Sequence, residues 1–583
     1  MSKINITLSR IKHPIKFNII IRFLINTISK SFLIIVIPYL IENMLLYINS
    51  KDELESVVLY ISKILIFMLV VEIIYIQNNK RAFILFNKIR RDFTQDINKK
   101  FMEMDYEYYE DSKKLDEAYF AYDVTYSNYD GIEGIYHTFF ELGWKIIVLV
   151  YFLFYFYKIN YLFLILFFCI GTVSFLLSKR LKMIELKNVE NVNSSKRKMI
   201  YFSYNSSDYS YGKDTRVYEF SNSIKKLYYK ILSEFINTLN IQENAKKFIF
   251  LLDEIIFYFL YIIAFYILFL EYNRGIGIGK VISVLGILSY LIYLIKDFIN
   301  DLSFCYGELK RCEYTFNFLN IDYGSSGIDI NKISSIEFKN VYFKYPNTEN
   351  FVIEDCSFSI DNGEKIAFIG LNGSGKTTIT KLILGLYKAT SGTIYINGIN
   401  IEQLNLKRFF KNISYVEQET NLISMSVVEF ITGKDKNYDE DRLIQSLKDA
   451  EIFKKINLLE KGIFSKLTNF LDKDGINLSG GEVQKLYIAR ALYRDSSLYI
   501  FDEPTASLDV ISERKVYERL NKISGNNIAI FISHKLKTTN FCDKIFVLQE
   551  GNVFEIENKK NSNLQYLYSK LSNLFFKENK ICD

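Results

Sequence analysis

Six long apolar runs crowd the first half of this chain and stop near residue 305. They are "FLIIVIPYLIENMLLYI" (Phe32 to Ile48), "VVLYISKILIFMLVVEIIYI" (Val57 to Ile76), "WKIIVLVYFLFYFY" (Trp144 to Tyr157), "YLFLILFFCIGTVSFLL" (Tyr161 to Leu177), "FIFLLDEIIFYFLYIIAFYILFL" (Phe248 to Leu270) and "VISVLGILSYLIYLI" (Val281 to Ile295). A helix needs about 20 apolar residues to cross a bilayer, and each run approaches or reaches that length. The shorter runs alone would also suit buried helices of a soluble core. Six in succession, with Tyr and Trp near their ends, favour lipid.

The linkers alternate. Short ones, "NSKDELES", "KIN" and "EYNRGIGIG", separate spans one and two, three and four, and five and six. Two long ones, from about Gln77 to Gly143 and from about Ser178 to Lys247, carry Lys80, Arg81, Arg90, Arg91, Lys179, Arg180, Lys196, Arg197 and Lys198. The positive-inside tendency puts these segments and both termini in the cytoplasm. Structureless loops of that length are improbable, so the spans are expected to continue as helices well beyond the membrane. The basic N-terminal stretch lacks a small-residue cleavage site after it, and is expected to stay in the mature chain. Glu72, Glu141, Lys145, Asp253, Glu254, Lys296 and Asp297 lie within or at the ends of spans. In lipid they must pair or face an aqueous cavity. Asp253 and Glu254 offer charge to a cationic substrate, but simple pairing with a cation or a place in a cytoplasmic helix extension explains them better.

After about Tyr314 the texture changes. "IEFKNVYFKYP" and "FVIEDCSFSI" alternate like half-buried strands, whereas "KIAFIG" and "LYIFDEP" read as buried parallel ones, with helical stretches between. The division expected is a transmembrane domain over 1–316, a linker over 317–335 and an α/β nucleotide-binding domain over 336–583. The formal charge of +6 is scattered among apolar runs and makes no basic stripe, which argues against a nucleic-acid partner. Six cysteines without C-x-x-C pairing or nearby histidines indicate neither zinc nor a disulfide scaffold.

Directly behind "KIAFI" stands "GLNGSGKTT", Gly370 to Thr378. Gly370, Gly375, Lys376 and Thr377 meet the P-loop spacing between a strand-like run and a helix-like one. Gly370, Gly373 and Gly375 let successive backbone N–H groups turn toward an anion at a helix N-terminus. Lys376 is then placed for β- and γ-phosphates and Thr377 for Mg²⁺. Asp502 ends a buried strand, where a carboxylate needs a cation such as Mg²⁺. Glu503 beside it suits polarising a water. His534 follows another buried-strand pattern, "NIAIFIS", at the edge where open α/β sheets bind ligands. Ser479, Gly480 and Gly481 read locally as a helix N-cap with flexible backbone. His13 and His137 lack such company and read as structural.

The stretch "INLSGGEVQKLYIARALYRDSSLYIFDEPTASLD" (Ile476 to Asp509), taken with the P-loop, resembles the ATP-binding cassette family: an "LSGGE" signature, a Walker B strand "LYIFD", then Glu503 and an "SLD" loop. Six spans fused to one cassette resembles an exporter-type half-transporter over essentially the whole chain. The fold class implied is an α-helical transmembrane domain of six spans with long cytoplasmic extensions, plus an α/β P-loop cassette domain. The resemblance implies that Tyr345 stacks on adenine, that Gln418 touches Mg²⁺ and senses the membrane domain, and that His534 stands at the γ-phosphate. It also implies that Ser479, Gly480 and Gly481 reach the γ-phosphate of a second copy. Asn372, Ser374, Thr378 and Asp509 complete the nucleotide-binding set, and ATP with Mg²⁺ is the expected ligand pair. Since Glu503 and His534 are both intact, a homodimer with two competent sites is the simpler expectation.

Departures are Glu482 and Lys485 in the signature helix, where Gln and Arg are commoner, and "LTNFLDKDG" (Leu467 to Gly475), which lacks the exporter string Thr-Glu-Val-Gly-Glu. "MDYEYYEDSKKLDEA" (Met104 to Ala118) and "YGKDTRVYEF" (Tyr211 to Phe220) are similar to regions holding coupling helices; otherwise they read as solvated helix faces. Three functions compete: export of a peptide such as a bacteriocin, export of lipid or amphipathic drugs, and an ATP-gated channel or regulator. Peptide export is preferred because the P-loop block resembles bacterial peptide exporters without a protease domain. No cysteine precedes Cys169, so no cysteine-protease domain is expected ahead of the first span. Abundant Ile, Lys, Asn and Tyr hint at an AT-rich genome, and the location expected is a bacterial plasma membrane with the ATPase in the cytoplasm.

Overall fold

The computed structural model describes residues 13–50, 54–207, 211–321, 327–346, 348–418, 421–504, 516–519, 527–533 and 542–557. They belong to two units: Met1–Met104 with Ser112–Ile321, and Asp105–Asp111 with Asp322–Asp583. The described residues of the first half are mostly helical, as α1 (His13–Ser50), α2 (Leu54–Glu103), α3 (Glu107–Glu110), α4 (Ser112–Asp123), α5 (Gly131–Ile159), α6 (Leu162–Ser207), α7 (Gly212–Val217), α8 (Ser221–Asn273) and α9 (Ile278–Asn320). Of these, only α3 lies in the C-terminal unit.

Among the described residues, six helices are long and apolar enough to cross a membrane. Helices α2, α6 and α8 have 50, 46 and 53 residues. Fifty helical residues rise about 75 Å, against about 30 Å of hydrocarbon core. Most of the two long basic linkers is thus continuous helix.

The first span departs from its expected limits of Phe32 to Ile48. Its apolar stretch is Lys16–Leu40, inside a helix that runs on past Pro38. Arg22 and Asn26 interrupt the apolar pattern there, which hides the earlier start. The structure places them inside the unit: Asn26 is fully buried, its amide without a hydrogen bond to the described residues, and Asn78 of α2 accepts from the Arg22 guanidinium at 3.4 Å and donates to the Arg22 carbonyl at 2.8 Å.

One face of α5 repeats every four residues, Trp144, Val148, Phe152 and Phe156, and packs in a single cluster with Phe163, Phe167 and Ile170 of α6 and Leu288, Leu291 and Ile292 of α9. The most apolar stretch of α2 buries none of its residues. It leaves Leu65, Ile66, Phe67 and Leu69 more than half exposed, a surface suited to lipid or another helix and not to water.

The intramembrane charges find partners across helices. Lys145 stands 2.5 Å from both Asp297 and Asp301. Lys30 binds Glu141 at 2.7 Å, and Trp144 Nε1 donates to the same carboxylate at 2.7 Å. Asp253 and Glu254 share Lys296, at 2.8 and 2.6 Å, the pairing alternative raised for them above. Glu72 is exposed. His137 packs against Phe86 at 5.0 Å, with Nε2 3.5 Å from the buried Glu133. The side chain of His13 lies outside the described residues.

The C-terminal unit holds two sheets. The smaller has the order β2 (Ile353–Asp361), β1 (Ser335–Phe343), β4 (Ser391–Ile396), β5 (Ile399–Asn400), all antiparallel. The larger has the order β10 (Asn552–Glu557), β9 (Lys544–Gln549), β3 (Lys365–Gly370), β8 (Ile528–Ile532), β7 (Leu498–Asp502), β6 (Ile413–Val416). Its pairs are parallel except β10 with β9. Helices α10 (Lys376–Ile383), α11 (Leu406–Phe409), α12 (Val427–Thr432), α13 (Glu440–Asp449), α14 (Phe453–Asn457) and α15 (Gly480–Tyr493) follow in chain order. Every residue of β7 and β8 is buried, which is why "LYIFD" and "IAIFI" read as unbroken apolar runs. Two cores result, one on each side of the larger sheet's strands: Ile366, Phe368, Ile500 and Ile530 join one, Ala367, Ile369, Phe501 and Phe531 the other.

Candidate functional site

Strands β3, β6 and β7 deliver their chemistry at one place, the carboxyl edge of the parallel sheet, where an open α/β fold leaves a crevice. The P-loop leaves β3 at Gly370 and enters α10 at Lys376. Gly373 and Gly375 have φ of +82° and +99°, a region closed to most side chains. A Cβ on Gly375 would also meet Ile353 Cδ1 at 2.8 Å.

Lys376 is 8% exposed and donates to the carbonyls of Gly370 and Leu371 at 2.9 and 2.8 Å, so it braces the loop it belongs to. Burial holds its ammonium below the usual lysine range, against the opposing pull of Glu503 and Asp502. Ser374 Oγ is buried with no hydrogen-bond partner. Buried hydroxyls are seldom left so, and an anion in the cradle would satisfy it. Asn372 and Thr377 are exposed.

Asp502 is 4% exposed at the end of β7. Burial, then the charge of Glu503, pushes its carboxyl up to about 6, with Lys376 opposing. A dication would relieve that cost, and the oxygen donors that the sequence assigns with it, the Thr377 hydroxyl and the Gln418 amide oxygen, are of the hard type that Mg²⁺ takes. The residues therefore fit the ion that the sequence calls for.

Glu503 is fixed by three elements. Gln418 Nε2 donates to its carboxylate at 2.9 Å, Gln484 Nε2 of α15 donates to its carbonyl at 3.0 Å, and its own N–H donates to Ile532 O of β8 at 3.0 Å. Its φ of +46° is unusual for a side-chain-bearing residue. Gln484 had no place in the sequence reading, because nothing in "GEVQKL" marks a glutamine that reaches the next strand's end.

Tyr345 shares a hydrogen bond of 2.9 Å with the Thr378 hydroxyl of α10, and its ring packs edge-on against Phe343 and Tyr387 at 5.1 and 5.5 Å. The structure thus ties Tyr345, Gln418, Lys376, Asp502 and Glu503 to the P-loop edge. The hydrogen bonds of Ser479 run instead to its own helix: it caps α15, Glu482 closing a capping box at 2.9 Å from the Ser479 N–H. The S-x-x-E pattern was the available signal for that box. Glu482, a departure from the commoner Gln, is held below the usual carboxylate range by that N–H, and Lys455 stands 3.4 Å away. His534 and Asp509 lie outside the described residues.

Residues 353–506 match the ABC transporter family model. The C-terminal unit carries an ABC transporter domain. Among curated proteins, this chain is 29% identical over 370 residues to the subtilin transport ATP-binding protein SpaT of Bacillus subtilis, covering 62% of this chain and 60% of that one. It is 28% identical to the nisin transport ATP-binding protein NisT of Lactococcus lactis, covering 62% of each. It is 36% identical to an ATP-dependent lipid A-core flippase of Pasteurella multocida over 38% of this chain and 37% of that one. The chain thus spans less than two thirds of these relatives' length. A bacterial Atm1-family ABC exporter with ATP bound superposes with a TM-score of 0.76, covering 96% of this chain and 98% of that one at 16% identity, which shows a shared fold for the helical unit and the ABC domain.

Proposed function

We propose that the chain is one half of a homodimeric membrane exporter that hydrolyses ATP to move a peptide out of the cytoplasm. The observation that carries this reading is the junction of Gln418, Asp502 and Glu503 beside a P-loop, in a chain whose other unit supplies six membrane-length helices.

In this reading the loop N–H groups, Ser374 and Lys376 take the phosphates of ATP, and Tyr345 takes the base. Thr377, Gln418 and Asp502 hold Mg²⁺, which neutralises charge on the β- and γ-phosphates. Glu503 accepts a hydrogen bond from water and aligns it for in-line attack on the γ-phosphorus. Gln418 keeps that carboxylate in place and lies next to the loop at 421 onward, so it is also positioned to report on its surroundings. Ser479, Gly480 and Gly481 of a second copy close over the γ-phosphate, with His534 and Asp509 completing the enclosure. ATP closure and release after cleavage then alternate the access of the helical unit. The setting is a bacterial plasma membrane with the ABC domain in the cytoplasm, and the domain limits are 1–316, 317–335 and 336–583.

Peptide is favoured over lipid by alignment reach. The 370 residues shared with SpaT exceed what the C-terminal unit contains, so that likeness extends into the helical unit. The flippase alignments are shorter: 222 residues for the Pasteurella protein, which the C-terminal unit alone could hold, and 301 for one of Colwellia psychrerythraea, which it could not. The deciding experiment is ATPase stimulation of the protein in lipid nanodiscs by candidate peptides against lipids and amphipathic drugs. Stimulation by peptides supports the reading. A flat response to every peptide with stimulation by lipids moves the substrate to the lipid class, and no hydrolysis at all points to a gated channel or regulator.

A further inference from the structure

Lys381, which has no part in the roles assigned above, sits in a cage of aromatic rings and one carboxylate. Its Nζ lies 5.2 Å from the ring centre of Tyr106 and 5.5 Å from those of Tyr345 and Tyr387, and 3.1 Å from the Glu110 carboxylate. Burial alone would lower this ammonium, but Glu110, Tyr345 and Tyr106 outweigh it and hold it above its usual value. The three rings also touch one another through Tyr387, which is edge-on to Tyr106 at 5.8 Å and to Tyr345 at 5.5 Å.

Two of the cage's members come from Asp105–Asp111, the short stretch that belongs to the C-terminal unit although the chain on both sides of it belongs to the helical unit. Lys381 follows Thr378 by three positions on α10, so both face the same way. One helix face therefore grips Tyr345 twice, by the Thr378 hydroxyl at its OH and by the ammonium beside its ring. Cation–π attraction of this kind fixes a ring's orientation as well as its place. If Asp105–Asp111 leaves its seat, Lys381 loses its carboxylate and one aromatic wall, and Tyr345 loses a fixed neighbour.

We propose that Lys381 is a positioning residue through which the seating of Asp105–Asp111 sets the site's affinity for the base of ATP. This rests on the reading of Tyr345 as the adenine platform. By linkage, ATP bound against Tyr345 strengthens the seating of Asp105–Asp111 to the same degree.

The test measures equilibrium binding of ATP and of ribose triphosphate, which lacks a base, to the full-length protein in nanodiscs. Glu110→Gln and Lys381→Met should each weaken ATP about three- to five-fold, as a partly exposed ion pair allows. The double variant should lose no more than either single one, Lys381→Arg should restore affinity, and ribose triphosphate should bind all variants alike. Equal weakening of both ligands, additive losses, or unchanged ATP affinity in both single variants would overturn the proposal. Tyr345→Ala separates the two layers, since loss of a stacked base is worth about ten-fold or more. If Tyr345→Ala weakens ATP while Glu110→Gln and Lys381→Met do not, only the Lys381 link falls. If Tyr345→Ala leaves ATP affinity unchanged, the adenine reading falls and takes the link with it.

Discussion

Gln418 donates its side-chain amide to the carboxylate of Glu503 across 2.9 Å, which joins the end of β6 to the end of β7 at the edge of the P-loop. Glu503 is held in the left-handed region at φ +46° by this bond and by Gln484 and Ile532. Such a conformation is disfavoured for a residue with a Cβ, so the three bonds define where the carboxylate can be.

Glu503→Gln is nearly isosteric and keeps a side-chain oxygen, so the fold and the phosphate cradle should survive it. What it removes is a base. Turnover should fall by about 10²-fold or more, the scale of a lost general base, while ATP still binds. Steady-state ATPase rates and equilibrium ATP binding on the same preparation check this. Ordinary activity in the variant refutes the assignment of Glu503.

Lys145 serves two carboxylates at once, Asp297 and Asp301, each at 2.5 Å. Lys145→Met would leave two half-buried acids without their shared cation, which costs on the order of 1–3 kcal/mol, less than a fully buried pair because both carboxylates are partly exposed. The apparent unfolding temperature of the detergent-solubilised protein should therefore drop. Adding Asp297→Asn and Asp301→Asn should recover most of the loss, because neutral amides do not need the cation. A triple variant no more stable than Lys145→Met would show that lost packing, and not stranded charge, caused the drop.

Glu429 closes a capping box on α12, bonded to the Ser426 hydroxyl at 2.6 Å and its N–H at 2.7 Å, with Lys466 3.3 Å away. The Ser426 hydroxyl and N–H, with Lys466, bring this carboxyl down from its ordinary value of 4.5 to about 2. A depressed carboxyl stabilises the folded state above its unfolded pKa. That stability is lost as pH falls from 4.5 through about 2. Glu429→Gln should cost about 1 kcal/mol or less at pH 7, since the site is partly solvated. The gap between variant and wild type should narrow as the medium is acidified across that window. A gap that stays constant with pH would mean that the charge of Glu429 adds nothing to the box.

Much of this could be read in advance where the pattern is local. Strands β3, β7 and β8 are buried on both faces, so their apolar runs announce themselves and place Gly370 and Asp502 at one edge. The six helices follow equally from run length. Partners that meet across the fold leave no such trace. Nothing in the spacing of Asp253, Glu254 and Lys296 shows that one lysine of α9 answers two acids of α8. "DYEYYED" reads as a solvated face because its tyrosines and acids look alike on paper. Only the tertiary structure shows Tyr106 and Glu110 turned onto Lys381. The start of the first span was obscured for a related reason: a buried Asn26 looks polar to a hydropathy scale.

Gly375 offers a final test, in which conformation can be separated from crowding. Its φ is +99°, and a Cβ there would stand 2.8 Å from Ile353 Cδ1. Both effects oppose Gly375→Ala, but they differ in remedy. The contact involves the tip of a side chain and is removed by Ile353→Ala, whereas the backbone angle is unfavourable to any L-residue by about 1–2 kcal/mol. That strain would be relieved by shifting the loop, which misaims the N–H groups leading into α10 and lowers affinity for phosphate. Gly375→Ala should thus weaken ATP binding by about ten-fold, and Gly375→Ala with Ile353→Ala should bind no better. Recovery of wild-type affinity in the double variant would show that the loop tolerates the angle and that Ile353 alone excludes the methyl group.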